Sequence, residues 1–557
     1  MTRPLPYLYL LNCMGLSLWT AKVYCLQNSL HSLYSKARQV RTIEGHEQAL
    51  PLYEELLCRN PSDVTAATRI AAERDSPQRH KELGRGGSLS QRRRFAQFLE
   101  SSHFRTNAIA NFIFSTKSEE DRAVKAKLAS APIYLQPLRA GSPCPPTPSS
   151  AIDAIIQLFL LAVCLPLETC NRLLGGDAVQ LMEDLAIAFV SRDNLLVPYC
   201  HVVPITATNR TIYLITDFHP DVLSSTVICA DEEGDDNAAV MYIGPDSLGL
   251  LDHWCSLHRL NCEKIVDIGA GSGIQALYLA QSSNEAEVMC VDINRRALRI
   301  TKLNFDCNGF RPPTLILGDI NGPSGQVYQV GTNQLAAPRS WKDLLENTTM
   351  MVSNPPFLPV PIHDPSINKR YGLFSSGGGS GEVVLSRLVG LASSVLSYDE
   401  SATLAIVSEF MNPQDNFGDR ISTWWGDGGP VDAIMFTNQY PLDVCTYASR
   451  RADSDIETTR WEEHLQKERI HFVSPGFLFL KRRAPSASQR LGEEGSLKEQ
   501  KSAVHFNHYL VPKTKEGSIW TPTNTAAREL TRKILFEHTF PFRSIKRKYD
   551  DEKMINH

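Results

Sequence analysis

Three observations predict a doubly wound α/β domain with a mostly parallel sheet, preceded by a mostly helical domain. Strand-like and helix-like runs alternate from Ile265 onward, the pattern of strands joined by covering helices. The first strand-like run, Ile265-Val266-Asp267-Ile268, ends in the turn Gly269-Ala270-Gly271-Ser272-Gly273 ahead of a helix. Such a turn lets a ligand approach backbone N–H groups at a helix start. The stretch Val352-Ser353-Asn354-Pro355-Pro356-Phe357 follows the fourth strand, at the sheet end where α/β proteins bind ligands.

A length of 557 residues implies two or three domains. The net charge of -4 argues against a general basic coat for nucleic acid, although a local basic surface stays open. The 13 cysteines include no Cys-x-x-Cys, so neither a zinc site nor a disulfide framework is indicated, and a reducing compartment, the cytoplasm, fits. Residues 1–44 form a leader with an apolar run behind Arg3 and no acidic residue before Glu44. This is the look of a targeting segment, which admits an organelle, and equally of an untargeted extension. The run is too short to span a bilayer, and no stable membrane insertion is expected.

Residues 45–88 contain one helical hairpin, similar to a tetratricopeptide pair, and a glycine-rich linker. With no second copy it reads as a hairpin rather than a partner-binding array. Residues 89–230 form the helical domain. Arg92-Arg93-Arg94 is read as the solvated face of an amphipathic helix that carries Phe95, Phe98 and Leu99. After a proline-rich break, Ser150 and Asp153 start a helix whose apolar spacing runs to Val163. Further helices at 168–174 and 178–190, then β runs at 195–204 and 211–216, make a winged-helix-like module. It lacks a basic recognition helix, which favours packing and substrate positioning. The acidic stretch 231–236 is a solvated insertion.

Residues 240–483 form the α/β domain. Its predicted strands begin at Ile265, Glu287, Thr314, Met350, Thr403, Ala433 and near His471, seven in all, with a polar, irregular insertion at 321–349. Residues 484–557 are a linker and a tail with one helix near 526–537 and the basic triplet Lys546-Arg547-Lys548.

The acidic Asp267 ahead of the glycines, together with Asn354-Pro355-Pro356-Phe357, resembles the class I S-adenosylmethionine-dependent methyltransferases, Rossmann-like seven-stranded enzymes. Gly377-Gly378-Gly379-Ser380-Gly381-Glu382, with Tyr371 before it, resembles the segment after the catalytic loop in the HemK-like, small-domain branch. Gly244-Pro245-Asp246-Ser247, the run 158–161 and the closing 476–480 resemble a subgroup with its own N-terminal module. The likeness begins near Phe95, so residues 1 to about 88 are expected to be dispensable for methyl transfer.

The resemblance implies that Gly269, Gly271 and Gly273 hold S-adenosylmethionine, that Asp267 directly or indirectly orders its ammonium, that Asp292 accepts the ribose hydroxyls, and that Asp319 meets the adenine amino group. A dinucleotide would suit the same layout but has no use for Asn354 to Phe357. An amide or aniline-like nitrogen is a poor nucleophile because its lone pair is delocalised. Hydrogen bonds from its N–H groups to the Asn354 side-chain oxygen and the Pro355 carbonyl turn that lone pair toward the sulfonium methyl. Pro355 and Pro356 fix the backbone, and Phe357 stacks on the planar target. Catalysis is then proximity, orientation and placed dipoles, without a covalent intermediate or a metal. The acceptor is either a glutamine amide of a protein, such as a translation factor, or an amino group of a base in RNA or DNA. Phe357 stands where glutamine-methylating members usually carry Tyr. The alternative from another class is a non-catalytic S-adenosylmethionine-binding scaffold.

Overall fold

The computed structural model describes residues 32–33, 36–37, 40, 46–60, 64–75, 83–106, 147–206, 210–218, 239–255, 262–283, 285–321, 326–329, 339–365, 367–368, 375–398, 402–452, 454–483 and 504–511. Most of the leader, the acidic stretch 231–236, Tyr371, the helix near 526–537 and Lys546-Arg547-Lys548 lie outside them. No helix among the described residues is long and apolar enough to cross a membrane.

The chain divides into two compact units. The first gathers the described residues up to Gly86, those from 147 to Val202, and 217–218. It begins with α1 (His46–Arg59) and α2 (Val64–Asp75), which bury Ala49, Tyr53, Leu56, Ala66 and Ile70 between them. Helix α3 (Leu89–Ser101) belongs to the second unit. There follow α4 (Ala151–Phe159), β1 (Leu165–Pro166), α5 (Leu167–Leu174), α6 (Gly176–Asp184), β2 (Ala188–Val190) and β3 (Leu195–Pro198). The three strands form an antiparallel sheet in the order β1-β3-β2. Ser150 and Asp153 do start α4 through a reciprocal capping box.

The hairpin is not separate from this module. Ala71 and Ala72 of α2 pack with Ala162, Cys164, Phe189, Val197, Tyr199 and Phe218. The Thr68 hydroxyl accepts the Cys164 N–H at 2.9 Å, and Arg74 pairs with Asp193 at 2.5 Å. The hairpin and residues 162–218 thus share one apolar core, while the chain passes into the second unit after Gly86. A fragment starting at Ser88 is expected to lose hydrogen-exchange protection across 162–199, since it exposes that cluster. Unchanged protection there would restore the hairpin to a dispensable leader.

Strands β4 (Cys200–Thr206) and β5 (Thr211–Asp217) pair as a two-stranded sheet, with residues 203–216 in the second unit. The second unit continues with α7 (Pro245–Cys255), β6 (Lys264–Ile268), α8 (Ile274–Ser282), β7 (Glu287–Asp292), α9 (Arg295–Cys307) and β8 (Thr314–Leu317). Next come β9 (Gln326–Gln329), β10 (Arg339–Ser340), α10 (Trp341–Leu345), β11 (Met350–Ser353), α11 (Val383–Val395) and β12 (Thr403–Met411). Last are α12 (Phe417–Trp425), β13 (Val431–Asn438), β14 (Leu442–Asp443), α13 (Val444–Arg451), α14 (Asp455–Lys467), β15 (Phe472–Arg482) and β16 (Val504–Val511).

These strands build one eleven-stranded sheet in the order β10-β9-β8-β7-β6-β11-β12-β15-β13-β16, with β14 beside β15. The run from β8 to β12 is parallel, and β15 lies antiparallel between β12 and β13. The seven expected strands are thus the middle of a larger sheet. Strands β9 and β10 come from the insertion read as irregular, and β16 from residues read as linker. The short strands and the half-exposed edge strand β16 carry weak apolar patterns, and pairing with an existing sheet edge decides them. Buried strands read as continuous apolar runs because both faces are covered. On one face Leu385, Leu388 and Val389 of α11 and Phe417, Ile421 and Trp425 of α12 pack with Val266, Ile268, Met351, Leu404 and Ile406.

A buried ion pair and four side-chain to backbone hydrogen bonds fix α9 inside the second unit. Arg92 is buried rather than solvated, with its guanidinium 2.7 Å from Asp306, which corrects its expected place on an exposed face, whereas Arg93 and Arg94 are exposed. A buried arginine needs such a partner. Asn304 and Asn308, one helical turn apart, hydrogen-bond the backbone N–H and C=O groups of Ile215 and Tyr213, acting as a surrogate strand for β5.

Candidate active site

Adjacent strands deliver the predicted residues to one end of the sheet. Register pairs Ile268 with Val291 and with Ser353, and Asp292 with Leu317. Gly269, Asp292, Asp319 and Asn354 therefore all lie at or just beyond the carboxyl ends of the neighbouring strands β6, β7, β8 and β11.

In the glycine loop the three glycines have φ of 71°, 56° and 77° at 269, 271 and 273, the left-handed region that side chains disfavour. At Gly273 a Cβ would also fall 2.8 Å from Thr301 Cγ2. The loop is held from below, where the Thr301 hydroxyl donates to Gly271 O at 3.0 Å and the Asn304 amide donates to Ser272 O at 2.8 Å. Because Gly273 has no side chain to cap α8, Asp267 does so from the strand, its carboxylate accepting the Ala276 N–H at 3.1 Å. Asp267 is only 1 % exposed. Burial, helped by the neighbouring Asp292 charge and opposed by the Ala276 N–H, pushes its pKa up to about 7.

Asp292 accepts the Gly271 N–H at 2.8 Å through one oxygen and the Asn294 N–H at 2.8 Å through the other. Burial raises its pKa while these N–H groups lower it. The next residue, Ile293, is 66 % exposed. An aliphatic side chain that open, beside a carboxylate at a strand end, offers a flat apolar surface, and its exposure cannot be read from sequence. Asp319 is exposed, and its carboxylate accepts the Asn321 N–H at 2.8 Å.

The Asn354 loop leaves β11 with Ser353 anchored, its hydroxyl donating to Ile268 O at 2.6 Å. Phe357 and Leu358 both donate their N–H to Ser375 O, at 3.1 and 2.8 Å. The glycine-rich segment packs on this backbone. A Cβ at Gly377 would lie 2.8 Å from Phe357 Cα, and one at Gly381 2.8 Å from Phe357 O. Glu382 is ion-paired with Arg420, which also donates to Met411 O at 2.8 Å. Phe357 is half-buried against a cluster containing Leu358, Met411, Tyr447 and Trp461.

Asn354 makes the most informative contacts of the site. Its Nδ2 donates to Asp246 Oδ2 at 2.7 Å and to Ser247 Oγ at 2.9 Å. Its Oδ1 is buried and accepts no hydrogen bond. Asp246 and Ser247 sit in the first turn of α7. The sequence marks them only as part of a Gly-Pro-Asp-Ser segment, with no signal of contact to Asn354. Among the described residues no group of three or more His, Cys, Asp or Glu is placed to hold a metal ion.

Residues 250–364 match the family model described as methyltransferase small domain. The chain is 33 % identical over 101 residues to the ribosomal RNA small subunit methyltransferase C of Acinetobacter baylyi. That match takes in 18 % of this chain and 25 % of the relative, so the chain spans a quarter of the length of the curated relative it matches. Similar solved structures include an O-methyltransferase from a trans-AT PKS multienzyme of Brevibacillus brevis in complex with S-adenosyl-L-homocysteine, with 13 % identity, 43 % of this chain and 72 % of that one covered, and a TM-score of 0.25. An rRNA methylase from Streptococcus thermophilus shares 14 % identity, with 43 % of this chain and 98 % of that one covered and a TM-score of 0.22.

Proposed function

We propose that the second unit is an S-adenosylmethionine-dependent N-methyltransferase acting on a planar nitrogen, with the exocyclic amino group of an RNA base as the acceptor. The observation that carries this reading is the Asn354 amide, whose Nδ2 is engaged and whose buried Oδ1 is left without a donor. A buried unpaired acceptor costs about 1 to 3 kcal/mol, and a ligand N–H relieves that cost. A scaffold that only holds cofactor has no use for such an atom. The base is favoured over a glutamine amide because Phe357 offers a stacking face without a hydroxyl, and because the relative with 33 % identity is named for ribosomal RNA.

The residues present fit the cofactor. The glycine loop and the start of α8 suit its amino-acid end, Asp292 the ribose hydroxyls, Ile293 one face of adenine, and Asp319 the adenine amino group. Bound there, S-adenosylmethionine supplies an electrophilic methyl on its sulfonium. Asn354 Oδ1 and the Pro355 carbonyl then accept the two N–H groups of the target and turn its lone pair toward that methyl, while Phe357 covers the ring. Within the first unit the segment from α4 to β3, in the order helix, strand, helix, helix, strand, strand, supports a winged-helix-like reading, with its hairpin made by β2 and β3 and not by the expected runs 195–204 and 211–216. Its α6 carries exposed Asp177 and Asp184 and no lysine or arginine, which speaks for positioning rather than phosphate contact by that helix.

Purified protein incubated with methyl-labelled cofactor and fractionated cell extract is expected to place label in RNA. Label confined to protein would move the acceptor to a glutamine amide, and no label in any fraction would remove the enzyme reading.

A pH dependence follows from Asp267. A carboxylic acid raised to about 7 is mostly neutral below that pH, and an ammonium ligand requires the carboxylate. Cofactor affinity is therefore expected to fall by up to about tenfold per pH unit below 7, with proton uptake on release. The linkage in the unliganded protein has the opposite sense. The group stabilises the fold below its unfolded value and loses that contribution as pH rises through about 7. Calorimetric affinities equal at pH 5.5 and 8 would remove Asp267 from the ammonium site.

A further inference from the structure

Resting on the reading of Asn354 as the acceptor of the target N–H, we infer that Asp246 and Ser247 are the positioning residues of the transfer. They act as a two-point clamp that fixes the Asn354 amide with Oδ1 toward the acceptor nitrogen. A free asparagine amide rotates about its last bond and can present either end, and with Nδ2 forward it would repel an amino group. The clamp removes that choice. Both partners face Nδ2, at 2.7 Å from the Asp246 carboxylate and 2.9 Å from the Ser247 hydroxyl. A carboxylate has no hydrogen to offer, so the oxygen of Asn354 is forced to the other side, where it is buried and unpartnered.

The clamp is itself built. Asp246 is 9 % exposed and Ser247 6 %. A Cβ at position 244 would lie 2.2 Å from Asp246 Oδ1, so only glycine leaves room for the carboxylate. The Ser247 carbonyl accepts from the buried Gln275 amide at 2.9 Å. Gln275 is the second residue of α8, directly after the glycine loop, so the clamp and the cofactor loop share one rigid support. Burial pushes the Asp246 carboxyl up, while the Asn354 hydrogen bond, the first-turn N–H groups of α7 and the charge of Arg451 pull it back toward the ionised form. Arg451 is held at 2.6 Å by Glu409.

The test is a double-mutant cycle on methyl transfer to whichever extract fraction the wild-type protein labels. Asp246→Ala is expected to lower kcat at least tenfold, and Ser247→Ala severalfold. The affinity for S-adenosylhomocysteine should change less than threefold. Asp246→Asn, whose amide oxygen still accepts from Nδ2, should recover part of the loss. Combined with Asn354→Ala, Asp246→Ala should cost almost nothing further, because a positioning residue acts only through the group it positions. A loss as large in the Asn354→Ala background as in the wild type would overturn the clamp and make Asp246 a fold element. If the wild-type protein labels nothing, the function proposed above fails. The clamp is then decided by NMR of asparagine side-chain amides. A pair protected from exchange, absent in Asn354→Ala and deprotected in Asp246→Ala, upholds it. Without such a pair it is wrong.

Discussion

Asn354→Ala is expected to lower kcat by about a hundredfold or more while leaving the affinity for S-adenosylmethionine within a few fold. The two effects separate because the residues that suit the cofactor lie on the glycine loop, Asp292 and Asp319, whereas Asn354 contributes an oxygen with no partner inside the protein. Removing one placed dipole from a transition state in a water-poor site costs about 2.7 to 4 kcal/mol, which sets the hundredfold scale. The fold should tolerate the change, since alanine also removes the buried unpaired acceptor, although it leaves Asp246 and Ser247 without a donor. Asn354→Asp keeps an acceptor but places a second carboxylate beside Asp246 and is expected to be slower than wild type. Phe357→Tyr should be tolerated and Phe357→Ala should raise KM for the acceptor, because stacking alone is asked of that ring. Single-turnover rates with the labelled fraction measure all four. A wild-type rate for Asn354→Ala would leave the nitrogen-directed chemistry without support.

The parallel half of the sheet was legible because strands buried on both faces must be continuously apolar, and runs such as Ile265–Ile268 and Met350–Val352 have no other use. The edges were not. Strand β16 alternates apolar residues with His505, Asn507 and His508 and follows a charged linker, and only the free side of β13 makes it a strand. Arg92 shows the same limit in electrostatics. Three arginines in a row give no sign of which one meets a buried carboxylate, and Asp306, far along the chain, decides it. At the candidate site the places of the glycines, Asp292 and the Asn354 loop at neighbouring strand ends were legible, because the alternation of strands and helices fixes where each strand stops. The contact of Asp246 and Ser247 with Asn354 was not, since it joins residues more than a hundred positions apart and depends on a side-chain rotamer that no local pattern encodes. The packing of the hairpin on residues 162–218 was hidden for the same reason, as alanines on α2 give a weak apolar signal until Phe189 and Tyr199 are seen against them.

Asp292→Ala is expected to weaken S-adenosylmethionine binding by roughly a hundredfold. In the proposed complex the carboxylate accepts the ribose hydroxyls, and in the protein it already accepts the Gly271 N–H at 2.8 Å and the Asn294 N–H at 2.8 Å. The substitution thus removes charge-assisted bonds to the ligand and slackens the loop that receives it. Each such bond is worth about 1.5 to 3 kcal/mol, and losing two of them corresponds to two decades or more in Kd. Desolvation works the other way, because relieving a buried carboxylate returns part of that energy to the unliganded protein, and about a hundredfold is the net. Asp292→Asn keeps one acceptor oxygen and should fall between the two. At saturating cofactor kcat should drop far less than Kd rises, which distinguishes this variant from Asn354→Ala, where the pattern is reversed. Calorimetry with S-adenosylmethionine, S-adenosylhomocysteine and NAD reads the outcome. An unchanged Kd would displace Asp292 from the ribose. Tight NAD binding without S-adenosylmethionine binding would replace the methyltransferase with a dinucleotide enzyme.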